Sequence, residues 1–268
     1  MNLPERWTTG TVGTNGIELQ YYRTGSGEPI VLAHGMYDNG RRWVPLGSSL
    51  ADDYEVITYD ARGHGRSDAP ETGYDIDSRV SDLAGLVDGL DLTNPVLLGH
   101  SMGAATVAWA ATDAIRPRGV VLVDPARLHG TPDIAVADAR EMTRERLREA
   151  KARPIDERVE DYDETRHGKD HARRLASAVD ECSAQIAKLA QEHAPVKEAF
   201  DEITCSTLVL RRDVDVETRI RDIDAADRLH DGRLVHIPDA GHYVFRDEYE
   251  AASAELRVFL ERETRHSL

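Results

Sequence analysis

Short aliphatic runs punctuate the chain at residues 30–33 (IVLA), 56–59 (VITY), 96–98 (VLL), 120–123 (VVLV), 208–210 (LVL) and 234–237 (LVHI). Each is too short for a helix and shows no apolar/polar alternation, as strands covered on both faces require. The segments between them carry a different rhythm. Ile76, Val80, Leu83, Val87 and Leu90 step by four, three, four and three, and Phe245, Tyr249, Ala252, Leu256 and Phe259 do the same. Such spacing gives a helix one apolar stripe to lay against a sheet. Ahead of this pattern, Thr14-Asn15-Gly16 separates two β-rich stretches, and Asn-Gly is the favoured type I′ hairpin turn. An antiparallel pair over about residues 6–12 and 17–23 is expected. Alternating strands and helices then imply an α/β fold with eight strands, mostly parallel.

One crossover is far too long. Residues 125–206 span 82 positions between the sixth and seventh expected strands, where a single helix needs a fraction of that. Leu175, Val179, Cys182, Ile186 and Leu189 repeat the helical stepping inside it, while 138–151 (DAREMTRERLREAK) is almost wholly charged. A helical cap over the strand ends is expected at 125–206, inserted into a core of residues 1–124 and 207–268.

Charge narrows the partners. The 268 residues carry 33 Lys and Arg against 49 Asp and Glu, a formal charge of -16, which repels nucleic-acid backbones and anionic lipid surfaces. A small-molecule substrate is the expected partner, with no nucleic acid and no membrane. Cys182 and Cys205 form neither a zinc-type spacing nor a redox pair. The N-terminal MNLPERWTTG lacks a secretory pattern, and no segment has the ~20 apolar residues of a membrane span. A cytoplasmic protein is expected.

The candidate chemistry starts at 96–105, VLLGHSMGAA, where Gly99 and Gly103 box Ser101 between a strand and small helix formers. This is the G-x-S-x-G pattern of a nucleophile elbow. A serine hydroxyl is a weak nucleophile without a base and a group to orient it. His242, in PDAGHYVF, follows the last strand; Asp213 and Asp215, in LVLRRDVD, follow the one before. The order Ser, Asp, His is the one expected for this elbow on a parallel sheet.

In these pieces the chain resembles the α/β-hydrolase superfamily, in the serine branch with a helical cap after strand six. The likeness runs through VLAHGMYDNGRRW (31–43), YDARGHGRSD (59–68), LLGHSMGAA (97–105), VLVDPA (121–126), LVLRRDVD (208–215) and IPDAGHYVF (237–245). It implies an eight-stranded, mostly parallel sheet flanked by helices. It also implies a catalytic triad of Ser101, His242 and an acid. Aligning 212–215 on the family's G-x-x-D segment selects Asp215, with Asp213 next and Asp124, at the end of strand six, third. An oxyanion hole from the backbone N–H groups of Met36 and Met102 is implied as well.

The implied activity is cofactor-independent serine hydrolysis of a small carboxylic ester or lactone through an acyl-enzyme. Serine-bearing relatives include carbon–carbon bond hydrolases and non-haem haloperoxidases, which stand as alternatives. A receptor that keeps the fold but only binds its small molecule is an alternative of another class. Epoxide hydrolases and dehalogenases carry an aspartate at the elbow, so Ser101 argues against both. No metal or cofactor is expected: His34, His64 and His100 lie in separate loops without ligand spacing, Gly63-His64-Gly65 stops short of a dinucleotide fingerprint, and no phosphate loop occurs. Asp60 and Arg62 are read as loop braces, and Arg127 as an exposed arginine with a grip on a substrate carboxylate as its alternative role.

Overall fold

The computed structural model describes residues 3–130, 133–162, 167–191 and 194–265. Eight strands form one sheet: β1 (Thr8–Thr14), β2 (Ile17–Gly25), β3 (Glu28–Ala33), β4 (Tyr54–Tyr59), β5 (Val96–His100), β6 (Gly119–Val123), β7 (Ser206–Arg211) and β8 (Gly232–His236). Their order is β1-β2-β4-β3-β5-β6-β7-β8. β1 pairs antiparallel with β2, and β2 with β4, while all pairs from β3 to β8 are parallel. The opening hairpin turns at Asn15 and Gly16, with φ of 47° and 75°, the left-handed pair of a type I′ turn. Its first strand begins and ends two residues later than expected, because pairing is fixed from the turn outward, Thr14 opposite Ile17.

Helices α1 (Val44–Leu50), α2 (Ile76–Gly89), α3 (Met102–Trp109), α4 (Val136–Ala152), α5 (Ile155–Val159), α6 (Lys169–Ala178), α7 (Val216–Ala226), α8 (Val244–Asp247) and α9 (Tyr249–Arg265) connect and cover the strands. Successive residues of the central strands face opposite sides. Val31, Leu97, Leu122 and Val209 join the core beneath α2 and α3. Ile30, Leu98, Val121 and Leu208 join the core beneath α1 and α9. Both faces are therefore dry, which is why these strands read as continuous aliphatic runs. The Phe245-to-Phe259 stripe is used as the spacing requires, but its helix breaks at Glu248, whose φ of -130° and ψ of 66° are not helical.

Among the described residues between β6 and β7 lie α4, α5, α6 and three short 3-10 turns. The Leu175-to-Leu189 stripe is not one helix. After α6 the chain turns extended at Cys182, and Ser183 N–H donates to the Gly63 carbonyl at 2.7 Å before a new turn starts. Burial of Val179, Cys182, Ile186 and Leu189 still follows the stripe. In the charged α4, only Thr143 and Leu147 are buried.

If the two-faced sheet carries the stability, Leu97→Ala should lower the unfolding free energy by about 2–5 kcal/mol, the cost of an unfilled core site. Val258→Ala, on the exposed side of α9, should change it by less than about 0.5 kcal/mol. Urea titration of the two variants compares them directly.

Candidate functional site

Ser101 stands at the turn from β5 into α3 with φ 53° and ψ -111°, a region costly for a residue with a Cβ. Three contacts hold it there: its N–H donates to Val123 at 2.9 Å, and its carbonyl accepts from Ala105 and Ala126, both at 3.1 Å. The flanking glycines are steric necessities. A Cβ on Gly99 would sit 2.4 Å from the Gly103 backbone, and one on Gly103 would sit 2.5 Å from the Ala33 carbonyl oxygen. The helix thus packs directly on the strands, and the hydroxyl is pushed up at the C-terminal edge of the sheet.

Ser101 Oγ lies 3.0 Å from His242 Nε2. On the other side of the ring, His242 Nδ1 is 2.5 Å from Asp124 Oδ2. With the proton on Nδ1, the imidazole donates to Asp124 and accepts from the serine hydroxyl. The loop bearing His242 is latched to the elbow itself: His100 Nε2 donates to the His242 carbonyl at 2.8 Å.

The expectation that Asp215 faces His242 is not met. Asp215 is the N-cap of α7, where its Oδ1 accepts the Thr218 N–H at 2.9 Å and its Oδ2 the Thr218 hydroxyl at 2.8 Å. Those bonds hold its carboxyl below the usual range. Asp213 is also turned away, accepting from Arg219 at 2.5 Å and from the Asp239 N–H at 3.2 Å. Local hydrogen bonding claims both side chains. Asp124 takes the place instead, one residue past β6, buried and with φ 40°.

A charged chain runs on from Asp124. Its Oδ1 accepts from Arg211 Nη1, and Arg212 Nε lies 3.8 Å from its Oδ2. Arg211 Nε in turn donates to Asp222 Oδ2 at 2.9 Å, and Asp222 accepts from His129 at 2.7 Å and His236 at 3.0 Å. Burial alone would raise the Asp222 carboxyl, but the hydrogen bond and charge of Arg211, followed by the two histidines, hold it below its ordinary value. Sequence reasoning missed Arg211, Asp222, His129 and His236. The signal available was register: Val123 pairs with Leu210, which puts Asp124 beside Arg211.

Met102 is the first residue of α3, where a backbone N–H has no intrahelical acceptor. Met36 lies in the loop after β3. A Cβ on neighbouring Gly35 would come within 2.8 Å of His100 Nδ1 and 3.3 Å of Ser101 Cβ, so that loop runs close against the elbow. Met36, Ser101 and His242 all line one cavity of about 530 Å³, together with Arg146, Leu175 and Val179 of the insertion.

Among the described residues no group of three or more His, Cys, Asp or Glu is placed to hold a metal ion. The three loop histidines make structural bonds. His34 Nδ1 donates to the Gly35 carbonyl at 2.7 Å while its Nε2 accepts from Ala61, and His64 Nδ1 bonds the Arg62 carbonyl. Burial pushes His34 down to about 4 and His64 to about 3, and places His100 well below the imidazole range. Asp60 braces its loop by accepting from Gly40, Arg66 and Tyr22, and burial raises its carboxyl to about 6. Arg62 grips Asp82 at 2.5 Å. Arg127 donates to the Gln191 carbonyl and does not line the cavity. No described helix is long and apolar enough to cross a membrane.

The Alpha/beta hydrolase family model matches residues 30–256, and the chain belongs to that family. Individual relatives carry several activities in their names. A putative non-heme chloroperoxidase of Synechocystis sp. is 45% identical over 101 residues, 37% of each chain. A 2-(acetamidomethylene)succinate hydrolase of Mesorhizobium japonicum is 39% identical over 109 residues, 40% of this chain and 39% of its own. The matched stretches thus span well under half the length of these curated relatives. The likeness of structure is broader: a thermophilic esterase from Thermogutta terrifontis, malate bound, superposes with a TM-score of 0.75 at 26% identity, over 96% of this chain and 99% of its own.

Two outcomes follow from this geometry. Gly103→Ala should destabilise the fold by about 1–3 kcal/mol, because its methyl has no space against β3, measured by urea unfolding. The second concerns pH. His34, His64 and His100 stay neutral when folded but bind protons near pH 6.5 when unfolded, so their contribution is complete above about pH 6.5 and is lost as pH falls toward about 4. Asp60, raised to about 6, acts oppositely as a single group between about pH 4 and 6. The net expectation is a fall in unfolding free energy from pH 7 to pH 5 steeper than the ~1.4 kcal/mol per pH unit of one proton. A urea midpoint that is flat over that interval would contradict it.

Proposed function

We propose that this chain is a cofactor-independent serine hydrolase that cleaves a small carboxylic ester or lactone through an acyl-enzyme. The observation that carries this reading is the continuous contact from Ser101 Oγ through His242 to Asp124, at 3.0 Å and 2.5 Å, opening onto a cavity large enough for a small molecule. Ser101 Oγ attacks the carbonyl carbon as His242 Nε2 takes its proton. Asp124 fixes the ring with Nδ1–H toward itself and stabilises the imidazolium. The backbone N–H groups of Met36 and Met102 receive the developing oxyanion, a role worth ~3 kcal/mol per donor in comparable sites. His242 returns the proton to the leaving alkoxide; a water then attacks the acyl-serine by the reverse relay and frees the acid. The insertion at 125–206 acts as the cap that shapes the acyl pocket.

Relatives named as non-heme chloroperoxidases favour one second reading, peroxide-dependent halogenation at the same serine. It is separated from hydrolysis by assaying bromination with peroxide and a carboxylic acid beside ester turnover.

Four variants test the reading with a series of p-nitrophenyl esters and simple lactones. Ser101→Ala should lose at least ~10³-fold in kcat and fail to react with a fluorophosphonate probe. Asp124→Asn should lose at least ~10²-fold. Asp215→Asn should keep kcat within a few-fold, whereas Asp215→Ala should lower stability by ~1 kcal/mol through loss of the α7 cap. A wild-type chain that neither labels nor turns over any ester would leave the receptor reading in its place.

A further inference from the structure

The cavity beside Ser101 is electrostatically unlike the rest of the molecule. Arg42, Arg146, Arg153, Arg158 and Arg246 line it. Among the described residues, two carboxylates, Asp38 and Asp161, share the lining. A chain of net charge -16 therefore places, among its described residues, a cationic excess around the cavity beside Ser101. Like-signed charges gathered around a concave, partly desolvated space repel one another, and that cost is recovered when an anion enters.

Four of the five arginines are engaged. Arg153 grips Asp161 through two nitrogens, at 2.7 and 3.1 Å. Arg158 donates to Asp180 and to the Ala176 carbonyl, both at 2.8 Å. Arg42 pairs with Asp38. Arg246 donates to Asp247 at 2.9 Å and lies over the Tyr243 ring, 4.2 Å from its centroid. Arg146 differs: among the described residues it makes no ion pair. It projects from α4 beside the Tyr37 hydroxyl, next in sequence to Met36. A guanidinium with no ion pair among the described residues, exposed and lining the same cavity as Ser101, is a fork suited to a planar carboxylate.

We propose that the substrate carries a carboxylate remote from the bond that is cleaved, and that Arg146 binds it, so that half-esters or lactones of dicarboxylic acids are preferred over neutral esters. The inference rests on the hydrolase reading above and names its substrate class. Arg146 is a specificity residue here, since its contact is made alike in ground and transition state and acts mainly on KM.

The test compares 4-nitrophenyl hydrogen adipate with 4-nitrophenyl hexanoate, matched in acyl length and corrected for spontaneous hydrolysis. Wild type should favour the adipate half-ester at least ~10-fold in kcat/KM, and the preference should shrink as potassium chloride is raised. Arg146→Ala should abolish it, mostly through KM; Arg146→Glu should invert it; Arg148→Ala, on the same helix but outside the cavity, should leave the ratio where it was. Ser101-dependent turnover of hexanoate with no adipate preference, or an equal loss on both esters in Arg146→Ala, would overturn the inference while leaving the hydrolase reading intact. Calorimetric titration of adipate into Ser101→Ala supplies a readout free of turnover. Saturable binding that is lost in Ser101→Ala/Arg146→Glu supports the assignment, and its absence in Ser101→Ala refutes it.

Discussion

The carboxylate of Asp124 is shared between an imidazole and a guanidinium in a place where water does not reach, and much of the molecule is organised by that fact. A buried charge is tolerable only when its partners are fixed, and removing one partner of such a pair costs several kcal/mol. Here the partners come from distant parts of the chain: Arg211 from the end of β7 and His242 from the loop after β8. Asp222 of α7 then closes the series, held also by His129 and His236. Sheet register, the docking of α7 and the orientation of the imidazole are therefore one constraint, and none of them can relax without stranding a charge.

The elbow adds a second constraint of a different kind, made of space. Gly99 and Gly103 let α3 approach β3 and β5 more closely than any side chain permits, and Ser101 takes a left-handed conformation as the result. The hydroxyl is positioned by backbone packing and the imidazole by electrostatics. These meet at a single 3.0 Å contact. The His100 bond to the His242 carbonyl joins the two directly.

Much of this was legible in the sequence, and the exceptions have physical reasons. Strand runs, helix stripes, the Asn15-Gly16 turn, Ser101 and His242 are all announced by local pattern, because each depends on neighbours a few residues away. The carboxylate that bonds His242 is not local. Asp215 is the residue selected by aligning 212–215 on the family's G-x-x-D segment, although Arg212 stands at the glycine position, and a carboxylate three residues before Thr218 at a helix start serves the helix first. Asp124 stands third among the sequence candidates, and its claim strengthens once β6 and β7 are laid side by side and its neighbour is seen to be Arg211. The stripe across 175–189 has a similar lesson: apolar spacing foretold which side chains are buried, but not the break at Cys182, which is set by a backbone bond to the distant Gly63.

Ser101 and Asp124 each stand one residue past the end of adjacent strands, β5 and β6, and both precede the long insertion in the chain. The turn at 212–215 caps α7 through Asp215 and ties that helix to the loop before His242 through Asp213, whose carboxylate accepts from Arg219 and from the Asp239 N–H. Lengthening that turn would therefore loosen the loop that carries His242 as well as the start of α7, because Asp213 N–H donates to the Ala240 carbonyl at 2.8 Å.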